Sequence, residues 1–464
     1  STNLMIFKNK KIYGWSKSDY SECLYIESNN EEKIKEIFDF AKKNNKKISF
    51  RGGGRSYGDN ILNKNNIVLK FLSDKKILSF DDVNGTISVS GSCTLIQLFE
   101  FIIPKGWLLN VSPASQYISI AGAISNNVHG KNCSSKGYFG DYVEEIEILT
   151  PDKGLMKCSK TNNSELFFAV ISGLGAFGII LNAKIKLRKI KSSNLNTDII
   201  YVKSIDEAVE KSENLLKDYE FNIGSLNFTK FNNKITDGKI YSSNFLENEN
   251  LKINSSEANL LIYFVNLALM INKFPVADKF VEYLFSKITS KKIIDKKKII
   301  QDYYSMNFLG DKNLPLYNNF FRNGFIEYQV IFDKKNYLQA IHEIEGLLNL
   351  MEFSSYMSSF KSYKPSNEKY IFGLSKDGFC LTLDIPYNEK KDFEIFYRKI
   401  NEITIKYNGQ VYLGKTPCIN NEEFKKMYKN YNKFEKIKKE YDSNFLIVSE
   451  MTNRIFSDVY NYKY

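Results

Sequence analysis

Residues 51–60 read Arg51-Gly52-Gly53-Gly54-Arg55-Ser56-Tyr57-Gly58-Asp59-Asn60, directly after the apolar stretch Lys47-Ile48-Ser49-Phe50. Three consecutive glycines leave no Cβ between the main chain and whatever lies against it. They also admit positive φ, so successive N–H groups can turn into one concavity and hold an anion. A short strand running into such a loop points to a nucleotide pyrophosphate. The stretch is not the G-x-G-x-x-G dinucleotide fingerprint, because no helix opens directly after it and the spacing differs. A glycine-rich surface turn is the plain alternative for this loop taken alone.

Two later segments weigh against that alternative. Ser112 to Asn132 is built from small residues, carries Gly122 and Gly130, and ends in Asn126-Asn127-Val128-His129-Gly130-Lys131-Asn132. Small side chains over such a length let a flat ligand lie close to the backbone. The other segment is Ser164-Glu165-Leu166-Phe167-Phe168-Ala169 followed by Ser172-Gly173-Leu174-Gly175-Ala176-Phe177-Gly178-Ile179-Ile180. Ser164 reads as the N-cap of a short helix with Glu165 in its first turn. The glycines after it read as another close backbone approach before an apolar strand.

These motifs, in this order and spacing, resemble the FAD-binding half of the vanillyl-alcohol-oxidase-type (PCMH-type) flavoproteins. The resemblance implies an α+β, two-domain fold with a discontinuous FAD-binding domain. Residues 1–195 form that domain, 196–404 a substrate domain of sheet plus helices, and 405–464 return to the first. It implies that Arg51, Gly52, Gly53, Gly54, Arg55, Ser56 and Tyr57 wrap the cofactor together with Ser115, Gly122, Ala123, Asn126, Asn127, His129 and Gly130. Gly173, Gly175, Gly178 and Ile179 would help hold the adenosine half. The likeness is to members that oxidise sugars for cell-envelope polysaccharide. It continues through Phe325-Ile326-Glu327-Tyr328-Gln329, Leu381-Thr382-Leu383-Asp384-Ile385-Pro386, Val411-Tyr412-Leu413-Gly414-Lys415, Phe424 to Tyr428, and Ser449-Glu450-Met451. It is poor over residues 200–310.

Elsewhere the periodicities are plain. Ile34, Ile37, Phe38 and Ala41 recur at helical spacing after Asn29 or Asn30. Residues 204–217 and 336–350 read as amphipathic helices. Residues 326–332 and 379–385 read as strands of one sheet. A chain of 464 residues is long enough for two full cores. Its six cysteines have no paired spacing, so neither a disulfide framework nor a metal site is expected. That favours a reducing compartment, the cytoplasm. No secretory leader pattern opens the chain.

The net charge of +12 permits an anionic substrate or an anionic membrane face. No nucleic-acid-binding motif accompanies it. The apolar run 258–271 is too short to span a bilayer, which takes about 20 residues. Beside Lys287, Lys291, Lys292, Lys296, Lys297 and Lys298 it suits peripheral contact with an inner membrane face, although a buried helix and a solvated charge run are the plainer readings.

Flavin-dependent alcohol oxidation needs a carbinol C–H near the isoalloxazine, an acceptor for the hydroxyl proton, and positive charge near the reduced ring. The resemblance gives the last role to Lys415, with Tyr412 lining the site, and sets His129 near the ring. The catalytic candidates are therefore Lys415, His129 and Tyr57. Lys131, Glu327, Gln329, Thr382 and Cys380 are candidates for the substrate. Glu327 stands where the resembling sugar oxidases carry glutamine, and Thr382 where they carry a cysteine. The second histidine, His342, reads as structural. Covalent members tether FAD through a histidine and a cysteine at positions that here hold Arg55 and Ser115, so non-covalent FAD is expected. The implied activity is oxidation of a secondary hydroxyl of a sugar, phosphate- or polyprenyl-phosphate-linked, with a short-chain reductase as partner in an epimerisation. The alternatives are an oxidase of a free alditol or aldonolactone, or a flavin-binding protein without turnover.

Overall fold

The computed structural model describes residues 5–228, 237–252, 297–313 and 317–460. Three β-sheets carry these parts of the chain. The first runs in the order Lys8–Tyr13, Tyr20–Ser28, Ile67–Phe71, Ile48–Phe50, with the last two pairings parallel. Helix Glu31–Lys43 covers it. Asn30 caps this helix by accepting from Lys33 N at 2.9 Å, and Glu31 and Glu32 oppose the positive end of its dipole. Its buried residues Ile34, Ile37, Phe38 and Ala41 pack with Ile48, Ile67 and Leu69. Burial of each larger side chain is worth roughly 1.5–3 kcal/mol.

The second sheet sets Ile77–Asp81, Thr86–Ser90, Ile179–Lys189, Val143–Thr150 and Gly154–Ser159 side by side, and Trp107–Leu109 pairs with the far end of Ile179–Lys189. The third, of nine strands, is antiparallel at every pairing. Near one end of it Phe325–Asp333 lies against Gly378–Pro386, and both are buried on both faces. Alternation sorts their side chains. Tyr328, Val330, Phe332, Phe379, Leu381 and Leu383 share the main apolar core with helices Lys334–Leu350 and Phe393–Lys406. Glu327, Gln329, Ile331, Cys380, Thr382 and Asp384 occupy the opposite face.

The C-terminal stretch touches both regions. Gln410–Val411 pairs with Phe325–Asp333 in the third sheet. Farther on, Ile48 N donates to Leu446 O and Val448 N to Ile48 O, both at 2.9 Å, adding a bridge beside the first sheet. Asn63 Nδ2 donates to Val448 O at 2.9 Å, and Arg454 forks onto Asp59 at 3.1 and 2.9 Å.

Two sequence expectations shift. The helix at Ser164–Val170 is preceded by Asn163 in the left-handed region (φ 46°), so Ser164 is its first residue rather than its cap. The helix expected from 336 begins at Lys334. The run 258–271 and the lysines up to Lys296 lie outside the described residues, while Lys297 and Lys298 open the strand Lys297–Asp302. All six cysteines are buried free thiols. Among the described residues no helix is long and apolar enough to cross a membrane.

Lys438 and Asp442 lie fully buried on one helix turn, 2.7 Å apart. The ammonium also donates to Ala176 O and to Ile447 O, and the carboxylate accepts from the N–H groups of Leu446 and Ile447. Asp442→Ala would leave the cation without its counter-charge. We expect a loss of about 3–5 kcal/mol of unfolding free energy, read by denaturant titration.

Candidate active site

The glycine loop is pressed against the middle small-residue segment. A Cβ at Gly52 would lie 2.2 Å from Ser119 Oγ, and one at Gly53 only 2.0 Å from Tyr117 O. Gly54 takes φ +67°. The Arg55 guanidinium sits 4.4 Å from the Tyr117 ring centre. In the middle segment Ser119 Oγ accepts from Gly122 N at 3.2 Å, which starts helix Ile120–Ser125. Asn127 follows in the left-handed region (φ 41°), where its Oδ1 accepts from Gly140 N at 2.9 Å. The third motif docks on the end of this helix: Ser172 N donates to Ile124 O at 3.1 Å and Leu174 N to Ser125 O at 2.9 Å. Three stretches far apart in sequence thus meet along one seam.

Not every glycine there serves a ligand. Cβ atoms at Gly173 and Gly178 would collide with Ala169 O and Leu149 O, at 2.1 and 2.5 Å, so these two, like Gly52 and Gly53, are demanded by packing. Ile179 opens a strand opposite Leu149. Ala123 is buried in the main core, and a Cβ at Gly130 would stand 2.8 Å from Ser112 O. Ser115 and Gln116 N face Asp311, the latter at 2.8 Å.

His129 is buried between Tyr412 and Tyr363, whose rings lie edge-on at 4.7 and 4.9 Å. Its Nε2 meets Tyr363 Oη at 2.7 Å and Gln329 Nε2 at 3.1 Å, and Gln329 Nε2 also donates to Tyr363 Oη at 2.8 Å. With amide and phenol as donors, Nε2 accepts and the ring proton sits on Nδ1. Burial, then the charges of Lys361 and Lys415, hold its pKa well below 6.5. The imidazole is neutral. Tyr412 donates to Asn126 O at 3.1 Å, joining the tail to the middle segment.

Lys415 follows in the same turn. Its Nζ lies 2.6 Å from Glu327 Oε1 and 4.8 Å from the centre of the Tyr57 ring. Tyr57 packs on Trp15 and edge-on to Phe325, and burial followed by Glu327 and Asp384 keeps its phenol protonated. Glu327 stands directly opposite Asp384, and Gln329 opposite Thr382. Tyr317 Oη donates to Asp384 Oδ2 at 2.7 Å. Cys380 Sγ is 4.0 Å from Thr382 Oγ1 on this face. Lys131 is engaged elsewhere: its buried Nζ donates to Met306 O and Asn307 O, and burial brings its pKa down to about 7. His342 is half-exposed beside Glu345 and Asp206.

Asp384, Tyr317, Tyr363 and Lys361 were not singled out from sequence. Asp384 had a signal, since it follows Thr382 and Cys380 at strand alternation. The others lie outside any periodic pattern. A cleft of about 590 Å³, lined by Asp19, Ile326, Tyr387, Phe393 and Tyr397, contains none of the candidate site residues.

The residues present fit FAD. Among the described residues, Arg51 Nε, Asn126 Oδ1, Asn127 Nδ2 and His129 Nδ1 are buried polar atoms without a protein partner. All four belong to the first two motifs, which meet along this seam. Buried polar atoms need partners, and a polar, flat cofactor along this seam supplies them.

Residues 24–159 match the family described as FAD binding domain, and residues 381–455 the one described as D-arabinono-1,4-lactone oxidase. The chain is 23% identical over 458 residues to decaprenylphosphoryl-beta-D-ribose oxidase of Mycolicibacterium smegmatis, covering 96% of this chain and 97% of that one. It is 23% identical over 217 residues to L-gulonolactone oxidase of Bos taurus, covering 46% and 48%. To an FAD-linked oxidoreductase of Penicillium janthinellum it is 32% identical over 129 residues, 28% of each chain.

With only two histidines, imidazole titration by NMR is unambiguous. We expect the exposed His342 to titrate above its ordinary range and His129 to titrate well below its own. In the unfolded chain His129 protonates near 6.5. The unfolded state therefore binds the extra proton below that pH, and His129 makes stability fall as pH drops through 6.5, with no contribution above it.

Proposed function

We propose that this PCMH-type FAD-dependent oxidoreductase, an enzyme acting on CH–OH groups, oxidises a secondary hydroxyl of a phosphate- or polyprenyl-phosphate-linked sugar to the ketone. The observation that carries this reading is the length of the likeness to decaprenylphosphoryl-beta-D-ribose oxidase. It extends beyond the cofactor motifs through the face bearing Glu327, Gln329 and Thr382 and on to Lys415. Sugar recognition needs several convergent polar groups, and this face offers carboxyl, amide, hydroxyl, phenol and ammonium within one buried patch.

Bound FAD supplies the acceptor for the carbinol hydride. The chain does the rest. Arg51, the glycine loop and Asn126–Asn127 hold and orient the cofactor. Lys415 keeps a positive charge beside the reacting carbon. Neutral His129, fixed by Tyr363 and Gln329, keeps its Nδ1–H available as a donor. The aromatic walls of Trp15, Tyr57, Phe325 and Tyr412 exclude water. In this reading the keto sugar passes to a short-chain reductase that completes an epimerisation, in the cytoplasm or at the inner membrane face. The flavin is dissociable, because neither Arg55 nor Ser115 forms a flavin tether.

A second reading, an oxidase of a free alditol or aldonolactone, has its own support in the match over residues 381–455 and in the likeness to L-gulonolactone oxidase.

Anaerobic mixing with ribosyl, glucosyl and heptosyl phosphates, their lipid-linked forms, xylitol and gulonolactone separates the two readings. Bleaching of the flavin band by a phosphorylated or lipid-linked sugar is expected; bleaching by the free polyol or lactone alone would reverse the order. Lys415→Ala should slow that bleaching by roughly 10²–10³-fold while the protein still binds FAD. Acid precipitation of the yellow protein should leave the colour in solution, and a yellow pellet would refute the dissociable cofactor.

A further inference from the structure

Glu327 and Asp384 are two carboxyl groups directly across from each other on adjacent antiparallel strands, 2% and 6% exposed. Cross-strand partners on one face of an antiparallel pair are close neighbours. Two buried carboxylates so placed cannot both be ionised without large repulsion. Lys415 is the cation in direct contact, and it touches Glu327.

The unpartnered atoms tell the same story. Asp384 Oδ2 accepts from Tyr317, but Asp384 Oδ1 has no donor. Glu327 Oε1 lies 2.6 Å from the Lys415 ammonium, yet it too is without an aligned hydrogen-bond donor. One proton held between the carboxyls satisfies both oxygens. Burial and then the neighbouring Glu327 raise the proton affinity of Asp384 well above the usual carboxyl range. The groups facing the pair are Tyr57 from the glycine loop, Tyr317 from the turn Tyr317–Phe320, Lys415 from the tail and Lys361 beside the strand Ser358–Phe360.

We propose that Glu327 and Asp384 form a proton-sharing pair that takes up the hydroxyl proton of the substrate, relayed through Tyr57. This rests on the oxidation proposed above. Oxidation breaks the carbinol C–H and O–H bonds and makes the second C–O bond. The carbon-bound hydrogen leaves with both electrons as hydride to oxidised FAD. The hydroxyl proton passes to Tyr57 Oη as the phenol's own proton passes to Glu327. The pair then holds two protons instead of one and loses its negative charge. Lys415 is thereby freed from its counter-ion when negative charge arrives on the cofactor, so proton uptake and charge stabilisation become one event.

Infrared difference spectroscopy of the holoprotein tests the shared proton without turnover. At neutral pH a protonated-carboxyl carbonyl band is expected that disappears in Asp384→Asn and, separately, in Glu327→Gln. In anaerobic single turnover with a sugar that bleaches the parent, Glu327→Gln should bleach roughly 10²–10⁴-fold more slowly. The acidic limb of the parent's rate profile should be gone in this variant. A carbonyl band that persists in both variants, or a Glu327→Gln protein that bleaches at the parental rate, overturns the proposal. If no sugar bleaches the parent, the oxidation and the proton uptake both fall, and the infrared bands alone decide whether the carboxyls share a proton.

Discussion

The alignment of Phe325–Asp333 against Gly378–Pro386 is the constraint on which the site depends. Nine cross-strand partners fix it, from Phe325 opposite Pro386 to Asp333 opposite Gly378. Side chains alternate with period two, so a slip of either strand by one residue would turn its own polar side chains, Glu327 and Gln329 or Thr382 and Asp384, into the helix-covered core and expel its apolar ones, Tyr328 and Val330 or Leu381 and Leu383. The cost of burying such polar groups among Phe396, Ile341 and Ile344 makes that slip prohibitive. The same apolar packing that stabilises the sheet therefore dictates which residues meet on its other face.

What meets them comes from elsewhere. The glycine loop presents Tyr57, the middle segment presents His129, and the tail presents Tyr412 and Lys415. None of these elements belongs to that pair of strands, yet each is anchored to it or to another by a short list of polar contacts: Tyr412 to Asn126, Lys415 to Glu327, His129 to Gln329. Such contacts carry little net stability when they are exposed and a great deal of positional information when they are buried. Here they set the relative placement of three parts of the chain that lie far apart in sequence.

That division explains what sequence could and could not disclose. The apolar alternation of residues 326–332 and 379–385 and the helical spacing of Ile34, Ile37, Phe38 and Ala41 are local properties, and the structure follows them. Conformational demands of glycine are local as well, so the loop at 52–54 stood out, although Gly173 and Gly178 turned out to answer to neighbouring carbonyls. Lys131 shows the limit. Nothing near it in sequence announces the carbonyl oxygens of Met306 and Asn307 that receive its ammonium. Tyr317, Lys361 and Tyr363 likewise acquire their importance through contacts made across long spans of chain. Asn163 preceding its helix in a left-handed conformation was equally hidden, because a good capping residue, Ser164, stood beside it.

The strand next to the glycine loop is closed on one side by Leu446 to Val448, residues made long after it. Ile48 and its neighbours therefore emerge from the ribosome long before the backbone groups that will satisfy them. Until Leu446 to Val448 are made, that edge is open to stray strands, and Asp59 waits for Arg454. Loss of Leu446 to Val448 would therefore be felt first at Ile48–Phe50, where the cofactor loop begins.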